Sequence, residues 1–238
     1  MMQENSQGPL LGKVTVITGG TSGLGKSLAR TLFERGSTVV TCARDREALA
    51  RIAQEIGVTT FVADVTKRED VAALADFTVS TFGRIDVWIN NAGIWIPQGP
   101  IEDMDVDRAR PMFDVNVFGM MYSSQVALAV MLVQRRGTIV NIVSTSGLSP
   151  RPLAAGYAAS KWAARGFTDS LREGYRDKGI RVIGVYPGGI KTELFGGAEP
   201  EGFETFMSAD SVAEKIVANL EQEEPLEEQI IRRPSTER

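Results

Sequence analysis

The sequence predicts an α/β fold in which a parallel sheet is covered by helices on both faces. Short β-branched apolar runs alternate with longer segments of helical period along nearly the whole chain, which is the pattern of such a sheet. The chain has 238 residues, 43% of them hydrophobic, enough for one buried core. No repeat or Pro/Ser-rich linker divides it, so we expect a single domain over residues 1–238.

The strands are predicted by short runs rich in Val, Ile and Thr. Each run is bounded by turn residues or by a segment of helical period, which distinguishes it from part of a longer helix. The predicted strands are 13–18, 38–42, 59–63, 85–90, 138–143, 181–186 and 229–232.

The helices are predicted between these strands. Asp45 begins the second helix and is typical of an N-cap. Pro111 lies inside the fourth and longest segment and should kink or split it, because proline lacks a helical donor and clashes with the preceding turn. The acidic stretch 221–228 is expected to be a solvated connection. The predicted helices are 25–35, 45–56, 68–82, 105–134, 155–178 and 210–221.

The composition excludes several chemistries. The chain has no histidine, which rules out Ser/His/Asp and Cys/His catalysis and any imidazole metal site. Its single cysteine, Cys42, forms neither an intramolecular disulfide nor a thiolate zinc site. We therefore expect no metal site, and acid/base chemistry must come from carboxylate, tyrosine or lysine.

Charge and hydropathy indicate which partners to expect. The formal net charge is −4 and the pI is about 5.1, which gives no general attraction for nucleic acid or an anionic membrane. Residues 1–11 are polar, do not read as a signal peptide, and are expected to form a flexible N-terminus. No uninterrupted apolar run reaches the roughly 18 residues of a membrane span. We expect a cytoplasmic protein without membrane or nucleic-acid partners.

A glycine-rich turn joins the first predicted strand to the first helix, in the order Thr18-Gly19-Gly20-Thr21-Ser22-Gly23-Leu24-Gly25. Glycines allow close backbone approach, and a helix start presents free N–H groups to a phosphate. The spacing is not the G-x-G-x-x-G of the usual dinucleotide fingerprint. The turn by itself therefore leaves two interpretations open, a phosphate site or plain strand-to-helix punctuation.

The end of the second predicted strand, Cys42-Ala43-Arg44, is where a dinucleotide-binding fold reads the adenosine ribose. An acidic residue there binds the 2′-hydroxyl of NAD, whereas an arginine accommodates the 2′-phosphate of NADP. Arg44 therefore favours NADP, with NAD less favoured. The alternative is that Arg44 is a surface arginine ahead of a helix.

Tyr157 and Lys161 lie four residues apart in a predicted helix, on one face. A nearby ammonium stabilises a phenolate and lowers its pKa, so Tyr157 is a candidate acid/base group. By itself this spacing is also common on helix surfaces.

Several motifs in order resemble the short-chain dehydrogenase/reductase family over about residues 13–192. The resemblance implies a single-domain, Rossmann-like, doubly wound parallel sheet of about seven strands. The markers are the turn 18–25, Asp64-Val65, the segment 90–93, Asn116, Ser144 thirteen residues before Tyr157, Lys161, and Pro187-Gly188 followed by Ile190 and Thr192.

The resemblance also implies catalytic roles. Tyr157 would exchange a proton with the substrate oxygen, Lys161 would hold the nicotinamide ribose and lower the tyrosine pKa, and Ser144 would donate a hydrogen bond to that oxygen. Asn116 would sit at a distortion of the long helix and anchor a water leading from Lys161 to solvent.

Cofactor roles follow in the same way. Gly19, Thr21, Ser22 and Leu24 would hold the pyrophosphate. Asp64 and Val65 would contact adenine, and Asn90, Ile190 and Thr192 would position the nicotinamide side.

The substrate class remains open. The loop 94–98 and the substrate loop 193–208 suggest an apolar pocket from Trp95, Leu153, Phe195, Phe203, Phe206 and Met207. This slightly favours a neutral ketone, aldehyde or secondary alcohol, although Arg151 is a candidate to bind a carboxylate. The C-terminal residues 229–234 look more like those of a short-tailed branch acting on small semialdehydes and hydroxy acids, so these are the alternative substrates.

Assembly and turnover are expected from the same resemblance. It implies a homodimer or homotetramer, with the long helix pair at the interface. A non-catalytic dinucleotide-binding regulator is the alternative from another class, and loss of the tyrosine, lysine or serine would be its signature. Tyr157, Lys161 and Ser144 are all present.

Overall fold

The structure is a computed structural model that describes residues 8–233. In this range a seven-stranded sheet, all parallel, has the order β3-β2-β1-β4-β5-β6-β9, and a small second sheet pairs β7 with β8. The strands are β1 Val14–Thr18, β2 Thr38–Ala43, β3 Thr59–Val62, β4 Val87–Asn90, β5 Gly137–Ile142, β6 Ile180–Pro187, β7 Ile190–Lys191, β8 Met207–Ser208 and β9 Glu228–Ile231.

Helices cover both faces of the sheet, which confirms the predicted fold class. One layer contains α1, α2 and α7, and the other contains α3, α5 and α6, each with its own apolar cluster against the strands. The helices are α1 Gly23–Glu34, α2 Arg46–Ile56, α3 Arg68–Phe82, α4 Val106–Phe113, α5 Met120–Gln134, α6 Ala155–Tyr175 and α7 Ala209–Leu220.

The strand order reverses between β1 and β4, which are neighbours in the sheet although the chain passes through β2 and β3 between them. Connections leave the sheet in opposite directions from these two strands, so a crevice opens at their carboxyl ends. The glycine-rich turn follows β1 at this crevice.

The long predicted helix is divided, although not at Pro111 itself. Pro111 lies inside α4, and a π-helical segment, Asp114–Gly119, separates α4 from α5. Proline removes the N–H that would bond to the carbonyl four residues earlier. The regular ladder gives way three residues later, where the Asp114 N–H is shared between the carbonyls of Arg110 and Pro111.

The helical run Val106–Gln134 is long and apolar enough to cross a membrane by length and composition, with a mean hydropathy of 1.5. The sequence analysis expected no membrane span, but this one helix in the described residues has the length and composition that a span requires. Half of its apolar window is buried inside the protein, where α5 packs against α3 and the sheet. Since buried core helices pass the same test, this is weak evidence for a span.

The structure also differs from the sequence analysis at a small second sheet and at the N-terminal residues. The pairing of β7 with β8 was not predicted, because each contributes only two residues. Residues 1–7 of the expected flexible N-terminus lie outside the described part. Residues 8–11 form a turn in which Leu10 is 3% exposed and joins the core.

Candidate active site

The glycine-rich turn at the end of β1 packs closely against itself and against β2. A Cβ at Gly25 would lie 2.1 Å from the Gly19 carbonyl oxygen, and one at Gly20 would lie 2.0 Å from Thr41 Oγ1. Gly19 has a φ of +70°, in the left-handed region that favours glycine. The turn can therefore form only with glycine at these positions, and its backbone is left accessible to a ligand.

The start of α1 is open to an anion. Ser22 occupies the N-cap position, but its side chain makes no capping hydrogen bond, and the first turn contains no acidic residue. The first N–H groups of a helix lack intrahelical partners and carry a partial positive charge. The turn and this helix start together fit the diphosphate of a dinucleotide.

The predicted pyrophosphate residues contribute in different ways. Thr21 and Ser22 lie at the surface of the turn, whereas the Leu24 side chain is buried in the core. Leu24 can therefore offer only its backbone N–H to a phosphate.

Asn91, to which the sequence analysis gave no role, ties the turn to the end of β4. Its Nδ2 donates to the carbonyl oxygens of Thr18 and Gly19, at 3.0 and 2.9 Å. Thr18 Oγ1 in return accepts the N–H groups of Asn91 and Ala92, both at 3.1 Å. The signal in the sequence was the paired asparagine in segment 90–93, but only the structure shows which of the two holds the turn.

Asn90 points away from the crevice. Its Nδ2 donates to Ser124 Oγ at 2.9 Å and to Asn141 Oδ1 at 2.8 Å, and its Oδ1 accepts from Trp88 Nε1. These bonds use both amide hydrogens in a buried polar network. The side chain is therefore structural, and any contact of Asn90 with a ribose would come from its backbone.

The adenosine end of the crevice contains Arg44 and Asp64. Burial raises the pKa of Asp64, but hydrogen bonds from Thr66 and the positive charge of Arg44 outweigh it, so the net shift is downward. Arg44 itself is exposed. Asp45 accepts the N–H groups of Glu47 and Ala48 at 2.8 and 3.1 Å, which confirms it as the N-cap of α2.

Val65, predicted to contact adenine, is largely buried. Its side chain lies against Gly119, where an added Cβ would be 3.0 Å from Val65 Cγ2. The side chain therefore packs under the π-helical segment, and only the backbone of Val65 faces a ligand.

The segment that begins with β7 brings Thr192 to the glycine turn, while Ile190 packs against the apolar core. A Cβ at Gly23 would lie 3.0 Å from the Thr192 side chain. Thr192 also accepts the Leu194 N–H at 3.3 Å at the start of the substrate loop. This places the predicted nicotinamide-side residue Thr192 beside the glycine turn.

Ser144 and Tyr157 meet where β5 ends and α6 begins. The Ser144 hydroxyl lies close enough to the Tyr157 phenol to lower its pKa, and Ser144 Oγ accepts the Ser146 N–H at 3.0 Å. Burial raises the pKa of Tyr157 to about 12, while the hydrogen bond with Ser144 and the positive charge of Arg151 act in the opposite direction. Tyr157 is therefore a protonated phenol at neutral pH.

Lys161 lies one turn further along α6 and is 5% exposed. Its Nζ donates to the Ile142 carbonyl oxygen at 3.2 Å and lies 5.8 Å from the centre of the Tyr157 ring. Burial lowers the pKa of Lys161 to about 8. The groups that lower the pKa of Tyr157 in this arrangement are Ser144 and Arg151, and the lowering of that pKa by Lys161 stays a prediction.

Replacing Lys161 with methionine is expected to stabilise the protein by about 2 kcal/mol below pH 8. The variant no longer buries an ammonium group, and this gain is larger than the loss of one hydrogen bond. Between pH 8 and the ordinary lysine value of 10.5, the unfolded chain holds a proton that the folded chain has released. Folding of the wild type therefore gains stability as pH rises. The advantage of the methionine variant should shrink across this window and be lost before pH 10.5, where only the missing hydrogen bond still separates the two proteins. Thermal unfolding from pH 7 to 10.5 without added dinucleotide measures this, with the exposed Lys215→Met as control. A difference that does not change with pH would contradict it.

Asn116 lies in the π-helical segment, as expected for a distortion of the long helix. Its Oδ1 accepts the Ile94 N–H at 2.8 Å, and its Nδ2 donates to the Ile94 carbonyl at 3.0 Å and to Ser160 Oγ at 3.2 Å. Asn116 thus holds the loop after β4 against α6 and has no direct bond to Lys161.

The substrate loop 193–208 closes on the loop after β4 through aromatic rings. The Phe195 ring contacts Trp95 at 5.3 Å, Phe203 at 5.7 Å and Phe206 at 5.8 Å between centroids. Pairing of β7 with β8 ties the two ends of this loop together. Leu153, which was predicted to share this cluster, is instead 63% exposed.

Gln98 connects the loop after β4 to Tyr157 at the start of α6. Its Oε1 accepts the Tyr157 N–H at 3.1 Å, and Gly156 leaves room for it, because a Cβ there would lie 2.5 Å from Gln98 Nε2. Sequence reasoning missed this residue, since a glutamine in a loop has no distinguishing pattern.

Cavities lie at both ends of the strands. One of about 490 Å³ lies along Thr192, Phe195 and Phe203 of the substrate loop. The other, of about 460 Å³, lies at the opposite edge of the sheet, where the strands begin, and none of the site residues lines it. Within residues 8–233 no group of three or more Cys, Asp or Glu could hold a metal ion.

Known proteins share both the sequence pattern and the fold. Residues 13–201 match the family model described as short chain dehydrogenase. An uncharacterized oxidoreductase of Staphylococcus saprophyticus is 36% identical over 216 residues, which cover 88% of this chain and 92% of the relative.

Solved structures agree. ElxO with NADP bound is 29% identical with a TM-score of 0.83, covering 93% of this chain and 97% of that one. The 3-ketoacyl-(acyl-carrier-protein) reductase of Brucella melitensis, complexed with NADH, is 27% identical with a TM-score of 0.86, covering 94% and 97%. With its glycine turn, its Ser144, Tyr157 and Lys161 side chains and these likenesses, the chain belongs to the short-chain dehydrogenase/reductase family of oxidoreductases, which bind nicotinamide dinucleotides.

Proposed function

We propose that this enzyme transfers hydride between NADP(H) and a carbonyl or secondary alcohol substrate, with Tyr157 as the acid/base group. The observation that carries the proposal is the placement of Ser144, Tyr157 and Lys161 at the crevice, next to an open helix start. The dinucleotide supplies the hydride, and the side chains of this chain supply the proton and the position.

Each side chain has a definite part. The Tyr157 phenol gives its proton to the carbonyl oxygen as hydride reaches the carbonyl carbon, and takes it back in the reverse reaction. The Ser144 hydroxyl donates to the same oxygen and stabilises its developing charge. The Lys161 ammonium is placed to hold a ribose hydroxyl. A pKa near 12 keeps Tyr157 protonated at neutral pH, which is the form that donates a proton in the reduction direction.

The test is a panel of ketones, aldehydes, semialdehydes and their alcohols, assayed by NADPH absorbance. Turnover of a carbonyl compound with oxidation of one NADPH for each alcohol formed would support the proposal. Binding of NADPH without turnover of any compound would instead favour a regulator.

The preference for NADP is proposed on the position of Arg44. It is exposed at the end of β2, its positive charge acts on Asp64, and no acidic side chain within residues 8–233 forms an ion pair with it. A guanidinium placed in this way binds a 2′-phosphate well. The two solved neighbours bind NADP and NADH, respectively, so they do not decide the preference.

Arg44→Asp is expected to lower the ratio of kcat/KM for NADPH to that for NADH by about 10- to 100-fold, the effect of losing a charge-assisted phosphate contact and adding a repulsive charge. Steady-state kinetics with both dinucleotides measures the ratio. Arg46→Asp makes the same change of charge two residues away at the start of α2 and should leave the ratio nearly unaltered. Equal effects of the two variants would refute the role of Arg44.

We also propose a homodimer or homotetramer built on the long helical run. Large apolar side chains are exposed along it, with Val106 62%, Phe118 47% and Val133 85% exposed. A second copy of the chain covering this surface would remove them from water.

A further inference from the structure

Arg151 lies on the turn that leads from Ser144 to Tyr157. Its Nη2 is 3.3 Å from Thr145 Oγ1, and its Nε is 3.4 Å from Ser146 Oγ. Thr145 and Ser146 directly follow Ser144 in the chain. The guanidinium therefore lies beside the pair of hydroxyls that would hold the substrate oxygen.

The backbone at Arg151 is restrained. Proline residues stand on both sides of it, at positions 150 and 152, and each fixes its own φ. The Arg151 carbonyl accepts the Ala154 N–H at 3.0 Å, which closes a turn. The side chain therefore starts from a defined position close to the site.

The charge of Arg151 has no partner among the described residues. Other arginines form ion pairs, such as Arg35 with Glu214 at 2.9 Å, but no acidic side chain within residues 8–233 lies within 4.0 Å of Arg151. Its two contacts are long bonds to neutral hydroxyls, and a guanidinium has five donors. Donors thus remain for an anion.

The aromatic cluster of the substrate loop supplies apolar surface for a substrate. The cavity along the same loop is also lined by Lys191, Glu193 and Glu199. The loop after β4 contacts Tyr157 through Gln98 and the aromatic substrate loop through Trp95. The loop after β4 therefore links Tyr157 to the aromatic rings, and the turn that leads into Tyr157 carries Arg151.

On the basis of the proposed function, we infer that Arg151 is a specificity-determining residue that binds a carboxylate on the substrate. The substrate class is then a keto acid or semialdehyde acid and the matching hydroxy acid, with an apolar body against the aromatic rings. This differs from the neutral ketone that the sequence slightly favours. A planar guanidinium binds a carboxylate through two parallel hydrogen bonds, and those bonds would hold the carbonyl group at Ser144 and Tyr157.

A second effect of the same charge must be separated from binding. The positive charge of Arg151 also lowers the pKa of Tyr157, so its loss changes proton transfer for every substrate. Only a difference between charged and neutral substrates reports on carboxylate binding.

The experiment compares pairs of substrates with the same carbon skeleton, a keto acid and its primary amide, in the full-length protein with NADPH. The wild type should reduce the acid with a kcat/KM at least tenfold above that of the amide. Arg151→Met should lower kcat/KM by about 10- to 100-fold more for the acid than for the amide, mainly through KM. Arg151→Lys should recover part of this selectivity.

The control Arg181→Met removes an exposed arginine of β6 at the far edge of the sheet and should leave the ratio of acid to amide at the wild-type value. Reduction of the amides without preference for the acids, or an equal loss on both in Arg151→Met, would overturn the inference and leave the proposed function standing. No turnover of either member of any pair would also overturn the inference, whereas the proposed function is overturned only if the panel of ketones, aldehydes and alcohols gives no turnover either.

Discussion

Tyr157→Phe is expected to lower kcat for carbonyl reduction by about 10³-fold and to leave the Kd of NADPH within about twofold, because general acid catalysis contributes about 10²- to 10⁴-fold. Removal of the hydroxyl deletes the proton donor and the partner of Ser144 but keeps the ring. The carbonyl oxygen would then have to take its proton from water. The glycine turn and the start of α1 are unchanged, so dinucleotide binding is preserved.

Stopped-flow absorbance for the reduction and fluorescence titration for NADPH binding measure the two quantities. Tyr175→Phe, on the same helix, removes a hydroxyl far from Ser144 and serves as the matched control. Full turnover by Tyr157→Phe would disprove its role as acid. Loss of NADPH binding along with turnover would mean that the phenol holds the dinucleotide rather than the substrate proton.

Gly25→Ala is expected to weaken NADPH binding by roughly 100-fold and to lower the free energy of unfolding by about 1–3 kcal/mol, the range for overpacking a closely packed site. The added methyl group would lie 2.1 Å from the Gly19 carbonyl oxygen and 2.5 Å from Asn91 Nδ2. The first contact is with backbone, so the turn itself must move. Displacing the turn also breaks the bond from Asn91 Nδ2 to Gly19.

Gly166→Ala is the matched control, because nothing lies within 4 Å of an added Cβ there and the residue is inside α6. It should stabilise the protein by about 0.5–1 kcal/mol through helix propensity and leave NADPH binding unaltered. Calorimetric titration and thermal unfolding give both quantities for each variant. Wild-type affinity in Gly25→Ala would show that the close approach of the turn does not shape the phosphate site.

The burial of Lys161 lowers the free energy of unfolding of the protein. Its ammonium is 5% exposed and has no carboxylate partner within 4.0 Å among residues 8–233. A buried, unpaired cation destabilises the folded state. Active sites commonly retain such costs because the same group is needed for binding.

The elements were predictable from the sequence because their signals are local. A strand of a covered parallel sheet is apolar on both faces and a helix has a period of 3.6 residues, so the alternation of the two patterns identifies an α/β fold without knowledge of contacts. The predicted ends agree with the structure within about two residues at most elements. The short pair β7 and β8 has no such pattern, because two residues show no period.

Several site assignments changed because they depend on direction and burial. Asn90 and Asn91 are adjacent and chemically identical, yet one joins a buried network and the other holds the glycine turn. Asn90 is the last residue of β4, whereas Asn91 follows the strand and turns toward the glycine turn. The point at which β4 ends therefore decides which asparagine reaches the crevice. Leu24 and Val65 likewise face the core, and only their backbone remains for a ligand.

The residue types in the sequence limit the chemistry that side chains can supply. With no histidine and one buried cysteine, proton transfer rests on a phenol, an ammonium or a carboxylate, and the spacing of Tyr157 and Lys161 on one helix indicates the first two. Only the tertiary structure decided the electrostatics of that pair. Burial raises the pKa of Tyr157 and lowers that of Lys161, because both charged forms lose water in the folded protein. The charge that counteracts this at Tyr157 comes from Arg151, which reaches the site through the fold of its turn rather than through any helical spacing.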